Sequence, residues 1–396
     1  MVIPAVAGEG FVSTRGREIV MPDGKSFLLK GINLGNWLEP EGYMFKFKNA
    51  NSPRLIYEVF NELVGPAKSA EFWDAFRKNY VTRKDIAFIK SAGFNSVRVP
   101  FDYRLFVREG DPPEWDSTGF KLLDSVVSWC GEVGLYVILD MHCAPGGQTG
   151  DNIDDSYGYP FLFESEPSQE LTVALWKKLA ERYRDRTEIL GYDLLNEPIA
   201  PYFDVEKLNP KLEPLYKRIT SAIREVDTNH IVILGGAQWD SNFRVFGRPF
   251  DKKCVYTFHK YWSDTTDSVI REYLDFRDSS DVPVWLGESG ENSDGWIASF
   301  RRMLERNDVG WCFWPYKKLG SKACVVSIPL TPEYESIMKF ADSDRSTYAG
   351  IRANRPVISV VEKAMRDFIA NSVLSKCQVN KGYLDALGMR PAQAGN

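Results

Sequence analysis

Histidine is scarce in this chain, with three residues in 396, at positions 142, 230 and 259. Hydrolases that work through a bound metal lean on several histidines, often as an H-x-H pair, and no such pair occurs. Metal-dependent chemistry is therefore disfavoured, and no cofactor is expected. The six cysteines contain no C-x-x-C spacing, which argues against zinc ribbons and dithiol redox centres. Cys130, Cys143, Cys254 and Cys312 lie in apolar stretches, where a reduced thiol packs as a small hydrophobe. No apolar run approaches the roughly 18 residues of a membrane span. The net charge is -5 and basic residues do not cluster, so neither membrane nor nucleic acid is an expected partner. No Asn-x-Ser/Thr acceptor is present. The opening Met1-Val-Ile-Pro-Ala-Val-Ala-Gly8 has no basic stretch followed by a full apolar one. It is not a complete signal peptide, and the compartment stays open.

What the chain has in quantity is apolar, β-rich runs separated by helical patterns. The runs fall at 28–34, 94–100, 136–142, 189–196, 230–238, 253–259, 283–288 and 310–314, each about the length of a buried parallel strand. Between them, Phe120, Leu123, Val127 and Cys130 share one helical face. So do Leu171, Leu175, Leu179 and Tyr183, and later Ile297, Phe300 and Leu304. The fifth connection, 239–251, is too short for a full helix, and a last helix is expected over 357–370. Alternating strands and helices predict an α/β fold, and eight repeats predict closure into a (β/α)8 TIM barrel. An open doubly wound sheet would want a glycine-rich phosphate turn after its first strand, and Gly31-Ile-Asn-Leu-Gly35 is not one.

Residues 11–29 read as an N-terminal β-hairpin around Pro22-Asp23-Gly24, suited to plugging the bottom of the barrel. A single domain is expected over 1–370 and a polar C-terminal tail over 371–396, mobile at its end, in a monomeric protein. Three connections are long, at 35–67, 143–166 and 315–356. All follow strands, so all lie on the C-terminal face, where barrel enzymes carry their sites. The first holds Trp37, Tyr43, Phe45, Phe47 and Tyr57, too apolar for disorder. These long loops are expected to wall a cleft.

Polar residues end the apolar runs at that same face: Arg98, His142, Asn196 and Glu197, His259 and Tyr261, and Glu288, with Trp314 closing the last run. A glutamate after a strand is usually structural. Two of them, ending the fourth and seventh strands, face each other across a barrel mouth. Two carboxyls about 5–5.5 Å apart cleave a glycosidic bond with retention of configuration. One protonates the leaving oxygen and the other attacks the anomeric carbon. Water then resolves the covalent sugar, with the first residue now acting as base. Arg98 and Tyr261 are suited to holding Glu288 ionised, while Glu197 must stay protonated until the leaving group departs. Asp140 reads as a buried acceptor, Glu291 and Asp294 read as loop surface, and Trp239 and Trp262 stay open between site and surface. His230 opens the fifth strand, at the opposite end of the barrel.

In order along the chain, these residues resemble the motifs of glycoside hydrolase family 5, over roughly 11–370. Asn196-Glu197-Pro198 is similar to the family's acid/base motif, and Gly287-Glu288-Ser289 to its nucleophile motif. The resemblance implies that Asn196 binds the sugar 2-hydroxyl and that Arg98 and His142 shape the glycone subsite. It further implies that His259 and Tyr261 support the two carboxyls and that Trp314 lies under the sugar at the cleavage point. Gly31-Ile-Asn-Leu-Gly-Asn-Trp37 and His142-Cys-Ala-Pro-Gly-Gly-Gln-Thr-Gly150 resemble the exo-1,3-β-glucanase branch. Thr149 replaces that branch's usual asparagine, and Ser289 is small where bulkier residues are common. By analogy with that branch, Asn36, Glu39 and Gln148 are candidates for sugar hydroxyl contacts. The implied activity is hydrolysis of β-glucans or β-glucosides, exo-acting and β-1,3-glucosidase-like. An endo-β-1,4-glucanase or mannanase, a disaccharide-releasing β-glucosidase and a non-catalytic sugar-binding barrel remain the alternatives. The expected partner is an oligo- or polysaccharide.

Overall fold

A computed structural model describes residues 10–390, so the signal-peptide reading of the first residues and the mobility of the last six lie outside the described range. Eight parallel strands close into a barrel. They are β1 (Lys30–Asn33), β2 (Ser96–Asp102), β3 (Tyr136–Cys143), β4 (Ile189–Asp193), β5 (Ile231–Gly235), β6 (Cys254–His259), β7 (Val284–Glu288) and β8 (Gly310–Phe313). Each pairs with its neighbours in sequence, and β8 closes on β1 through Trp311–Lys30, Cys312–Gly31 and Phe313–Ile32. All eight expected strands are present. β4 and β5 end earlier than their apolar runs, at Asp193 and Gly235, because the residues beyond turn inward as loops. β2 and β3 are buried along their whole length, as strands packed on both faces must be.

The bottom of the barrel is plugged as expected, though by a different turn. Ser13–Arg15 pairs with Glu18–Val20 around Gly16, whose φ of +54° suits glycine. Pro22–Gly24 makes a second turn, closed by Met21 N–H donating to the Lys25 carbonyl at 2.8 Å. The hairpin buries Val12 and Ile19 against Ile138, Leu190, Ile233 and Trp285 inside the barrel. Each such buried aliphatic side chain stabilises by roughly 1.5–3 kcal/mol. The hairpin thus fills this end of the barrel with apolar side chains.

The first long connection is ordered by aromatic packing. It runs on past 67 to β2, and the whole stretch between β1 and β2 carries helices Pro53–Val64, Pro66–Tyr80 and Arg83–Ala92. Phe45 packs on Phe60, Trp73 and Phe76 and stacks at 5.7 Å on Phe368 of the last long helix, Ile358–Ser372. Arg83–Ala92 opens with a capping box between Thr82 and Asp85 and stops at Gly93, φ +107°. The fifth connection holds a four-residue turn, Ala237–Asp240, and one 3-10 turn in place of a full helix.

Residues 371–390 are not a free tail. Gln378–Val379 joins Lys317–Leu319 and Val326–Ile328 in a three-stranded sheet. Helix Lys381–Ala386 buries Tyr383 and Leu384, and Leu387 and Met389 follow them inward. Burial of these apolar side chains anchors a segment whose overall polarity suggested solvent. Tyr383 Oη donates to the Trp314 carbonyl at 3.0 Å, so the segment braces the chain just beyond β8. All six cysteines are free, and five of them are buried. Among the described residues, no helix is long and apolar enough to cross a membrane.

Candidate active site

At the C-terminal face the loops surround a cavity of about 590 Å³, within the range of small-molecule sites. Glu197, Glu288, His142, Asn196, His259, Tyr261 and Trp314 all line it. One oxygen of Glu197, one of Glu288 and a ring nitrogen of His259 lie within 4.8 Å of one another.

Glu288 ends β7. Its neighbour Gly287 cannot carry a side chain, since a Cβ there would fall 2.4 Å from Thr257 Oγ1 and 2.8 Å from His259 Nε2. Arg98 Nη1 donates to Glu288 Oε1 at 2.5 Å, and Tyr261 Oη donates to Oε2 at 3.0 Å. Arg98 itself is fully buried and does not line the cavity. It is gripped by Asp193 at 2.8 Å, Asp140 at 3.1 Å, Asn33 Oδ1 at 3.2 Å and Asn196 Oδ1 at 2.9 Å. A guanidinium is the side chain that satisfies so many acceptors from one plane. Arg98 therefore fixes Glu288 and Asn196 from behind the cavity wall.

Glu197 lies beyond the end of β4 with φ +47°, a left-handed conformation that costs a non-glycine residue roughly 1 kcal/mol. Its backbone is held on both sides. Thr149 Oγ1 donates to its carbonyl at 2.8 Å, and its N–H points at Asp240 Oδ2 at 3.4 Å. Its carboxyl meets His259 Nδ1 at 2.8 Å. Burial pushes the Glu197 carboxyl up to about 7, against the pull of His142 and Arg98. Burial also lowers His259 to about 3 and His142 to about 4, so both rings are neutral near pH 7. In a neutral His142, Nδ1–H donates to Asp140 at 2.8 Å and Nε2 accepts from Asn196 Nδ2 at 3.3 Å, which fixes the tautomer. Asp140 is thus the buried acceptor expected of it.

Trp314 forms one wall. Its ring lies over Gly35, where a Cβ would sit 2.3 Å from the ring, and stacks on His142 at 5.7 Å. Its Nε1 donates to Tyr43 Oη at 2.6 Å. Lys318 lies over the Tyr43 ring at 4.4 Å and pairs with Glu291 at 2.7 Å. Loops following β1, β7 and β8 are tied together by these contacts across one end of the cavity.

Three expected sugar contacts are not on the cavity wall. Asn36 is buried, accepts the Glu41 N–H at 3.0 Å and shapes the turn before it. Gln148 spends its amide on the backbone, donating to the His142 and Asn196 carbonyls at 2.7 and 2.8 Å and accepting from Ala144 N–H at 2.9 Å. Glu39 is wholly buried with no hydrogen-bond partner among the described residues, a carboxylate oxygen lying within 4.8 Å of Glu41 and His142. It is Glu41, two residues on, that lines the cavity, and burial together with Glu288 and Glu197 pushes its carboxyl well up. Glu291, expected as loop surface, lines the cavity, as do Trp239 and Trp262. Asp240 was not anticipated. Fully buried, it reaches 3.2 Å from His259 Nε2. Gln238, Trp239 and Asp240 have φ of +53°, +60° and +57°, a left-handed turn of non-glycine residues of the kind that gathers at functional sites.

The description "Cellulase (glycosyl hydrolase family 5)" matches residues 66–320. The chain is 30% identical over 352 residues to "Beta-xylosidase" of Phanerodontia chrysosporium, covering 80% of this chain and 72% of that one. It is 28% identical over 280 residues to "Probable glucan 1,3-beta-glucosidase A" of Aspergillus fumigatus, covering 67% and 66%. The structure of Thermotoga maritima Cel5A with cellobiose shares the fold at a TM-score of 0.56 and 20% identity, covering 91% of this chain and 97% of that one. The fold and the matched family are those of a glycoside hydrolase. The chain belongs to glycosyl hydrolase family 5.

Proposed function

We propose that the chain is a retaining β-glycosidase acting on β-glucans or β-glucosides, with Glu288 as nucleophile and Glu197 as acid/base. The observation that carries this reading is the pair itself: two carboxyl oxygens within 4.8 Å, one residue against a guanidinium and the other buried. Oxygens this close belong with the short carboxyl separation of retaining enzymes rather than the roughly 6.5–9.5 Å of inverting ones. Arg98 and Tyr261 orient the Glu288 oxygens toward the anomeric carbon. Glu197, raised to about 7, gives its proton to the departing oxygen and afterwards takes one from water. His142, Asn196, Glu41 and Trp314 surround the sugar that becomes covalently bound. A non-catalytic sugar-binding barrel would not need this pair or its supports.

Exo action is the favoured mode. On the wall formed by Tyr43, Trp314 and Glu291, the loops are tied together through Trp314–Tyr43 and Lys318–Glu291, which suits a terminal sugar. Curated relatives named for β-xylosidase and glucan 1,3-β-glucosidase activity support the same reading, and the glucosidase-like resemblance favours glucose. Incubation with laminarin, mixed-linkage glucan, carboxymethylcellulose and mannan tests it. Early accumulation of a single monosaccharide is expected, and a ladder of oligosaccharides overturns exo action. Proton NMR of the first product should show the β-anomer, whereas the α-anomer would rule out retention.

A further inference from the structure

Trp239 edges the cavity next to Asp240, whose Oδ2 faces the Glu197 N–H, so it stands on the side of the residue proposed to protonate the leaving group. From Trp239 a run of aromatic rings continues over the surface. Trp239 meets Tyr202 at 6.1 Å, Tyr202 meets Phe203 at 4.9 Å, Phe203 meets Tyr159 at 5.5 Å, and Tyr159 meets Phe161 at 5.0 Å. Trp239, Tyr202 and Phe161 are 38%, 59% and 45% exposed, and Phe203 and Tyr159 between them are half-buried. The run is also built in place. Tyr202 Oη is hydrogen-bonded to Asp151, which itself lines the cavity. Gly150, at φ +88°, makes room for Phe203, because a Cβ there would fall 2.4 Å from the ring.

The rings do not form a sugar platform. A pyranose binds with its face parallel to an aromatic face and its hydroxyls met by polar side chains. Here successive planes are tilted by 72°, 54°, 80° and 59°, and the Tyr202 hydroxyl is already engaged. A corrugated apolar track of this kind suits a flexible apolar chain, which gains by leaving water wherever it touches a ring. Resting on the glycosidase reading above, we infer that the track from Trp239 to Phe161 binds the apolar aglycone of the substrate, so that the preferred substrates are alkyl or acyl-chain β-glycosides. The chemistry is ordinary hydrolysis: water supplies the hydroxyl of the freed sugar, and the alcohol leaves with the proton of Glu197.

Methyl, butyl and octyl β-glycosides of the accepted sugar, below micellar concentration, test this beside cello- and laminari-oligosaccharides. Aryl glycosides establish basal turnover. Alkanol leaving groups differ little in acidity, so a difference among them reports binding. kcat/KM is expected to rise by at least about tenfold from methyl to octyl, carried by KM, since each buried methylene contributes. Tyr202→Ala and Phe161→Ser should cut that octyl-to-methyl ratio to about threefold or less, while Tyr202→Phe keeps it, because the ring is what binds. A flat alkyl series with oligosaccharides accelerating as they lengthen overturns the inference. So does a length dependence that survives both ring deletions. No turnover of any aryl glycoside overturns the glycosidase reading itself, and the inference with it.

Discussion

His259 Nδ1 lies 2.8 Å from Glu197 Oε1 and 3.9 Å from Glu288 Oε2, so the ring is committed to one carboxyl of the pair. Burial lowers this imidazole to about 3, and a neutral ring adds no positive charge that would strip the proton from Glu197. Glu197 thus remains an acid near pH 7, although a guanidinium stands close by. Two carboxyls in one cavity are set to different tasks by their neighbours.

The first consequence is a pH profile. Glu197 is raised to about 7 and, in the role proposed for it, acts in its protonated form, so kcat/KM should fall as pH rises above about 7. Glu197→Gln should remove that alkaline limb from whatever activity remains on activated aryl glycosides. A limb that persists unchanged in the variant assigns it to another group.

Stability should respond in the same direction. A carboxyl with a normal value of 4.5 that rises to about 7 on folding favours the folded chain at low pH, and this contribution is lost as pH climbs through 7. At about 1.4 kcal/mol for each tenfold step, the loss is at most about 3.5 kcal/mol. Glu197→Gln should therefore raise Tm relative to the parent protein at pH 8 and leave it nearly unchanged at pH 4. An equal shift at both pH values would contradict the assignment.

Leaving-group dependence separates the two carboxyls. Glu197→Ala should slow substrates with poor leaving groups by roughly 10²–10⁴-fold and activated aryl glycosides far less. Glu288→Gln should slow both by more than about 10⁴-fold with the fold intact. Steady-state rates on a matched pair of substrates check this. Equal losses in Glu197→Ala on both substrates would remove its role as acid.

Asp240 is placed to act as a positioning residue for the proposed acid. It backs His259 at 3.2 Å and points an oxygen at the Glu197 N–H, so Asp240→Ala should let the acid drift. Misplacement of about 1 Å costs on the order of 10²-fold. The loss should fall on kcat rather than KM, and the alkaline limb should shift. A loss confined to thermal stability, with kcat and the pH profile unchanged, would make Asp240 merely structural.

Much of this site is legible in the sequence because strands are local. An apolar run ending in a polar residue shows both where a barrel strand stops and what it presents, as Glu288 and His259 do. Position on the wall is not local. Glu39 and Gln148 carry suitable side chains, but loop packing sends Glu41 to the cavity and spends Gln148 on three backbone groups. Asp240 sits in a left-handed turn that no apolar period announces. The segment at 381–389 did carry a signal, since Tyr383, Leu384 and Leu387 fall on one helical face.

The most direct test of the central claim is to trap the covalent sugar. A 2-deoxy-2-fluoro glycoside of the accepted sugar with an activated leaving group slows resolution of the intermediate, and peptide mass spectrometry locates it. The account expects one sugar per chain, attached to Glu288. A label on Glu197 or another residue, or rapid turnover of the probe with no covalent species, would contradict it.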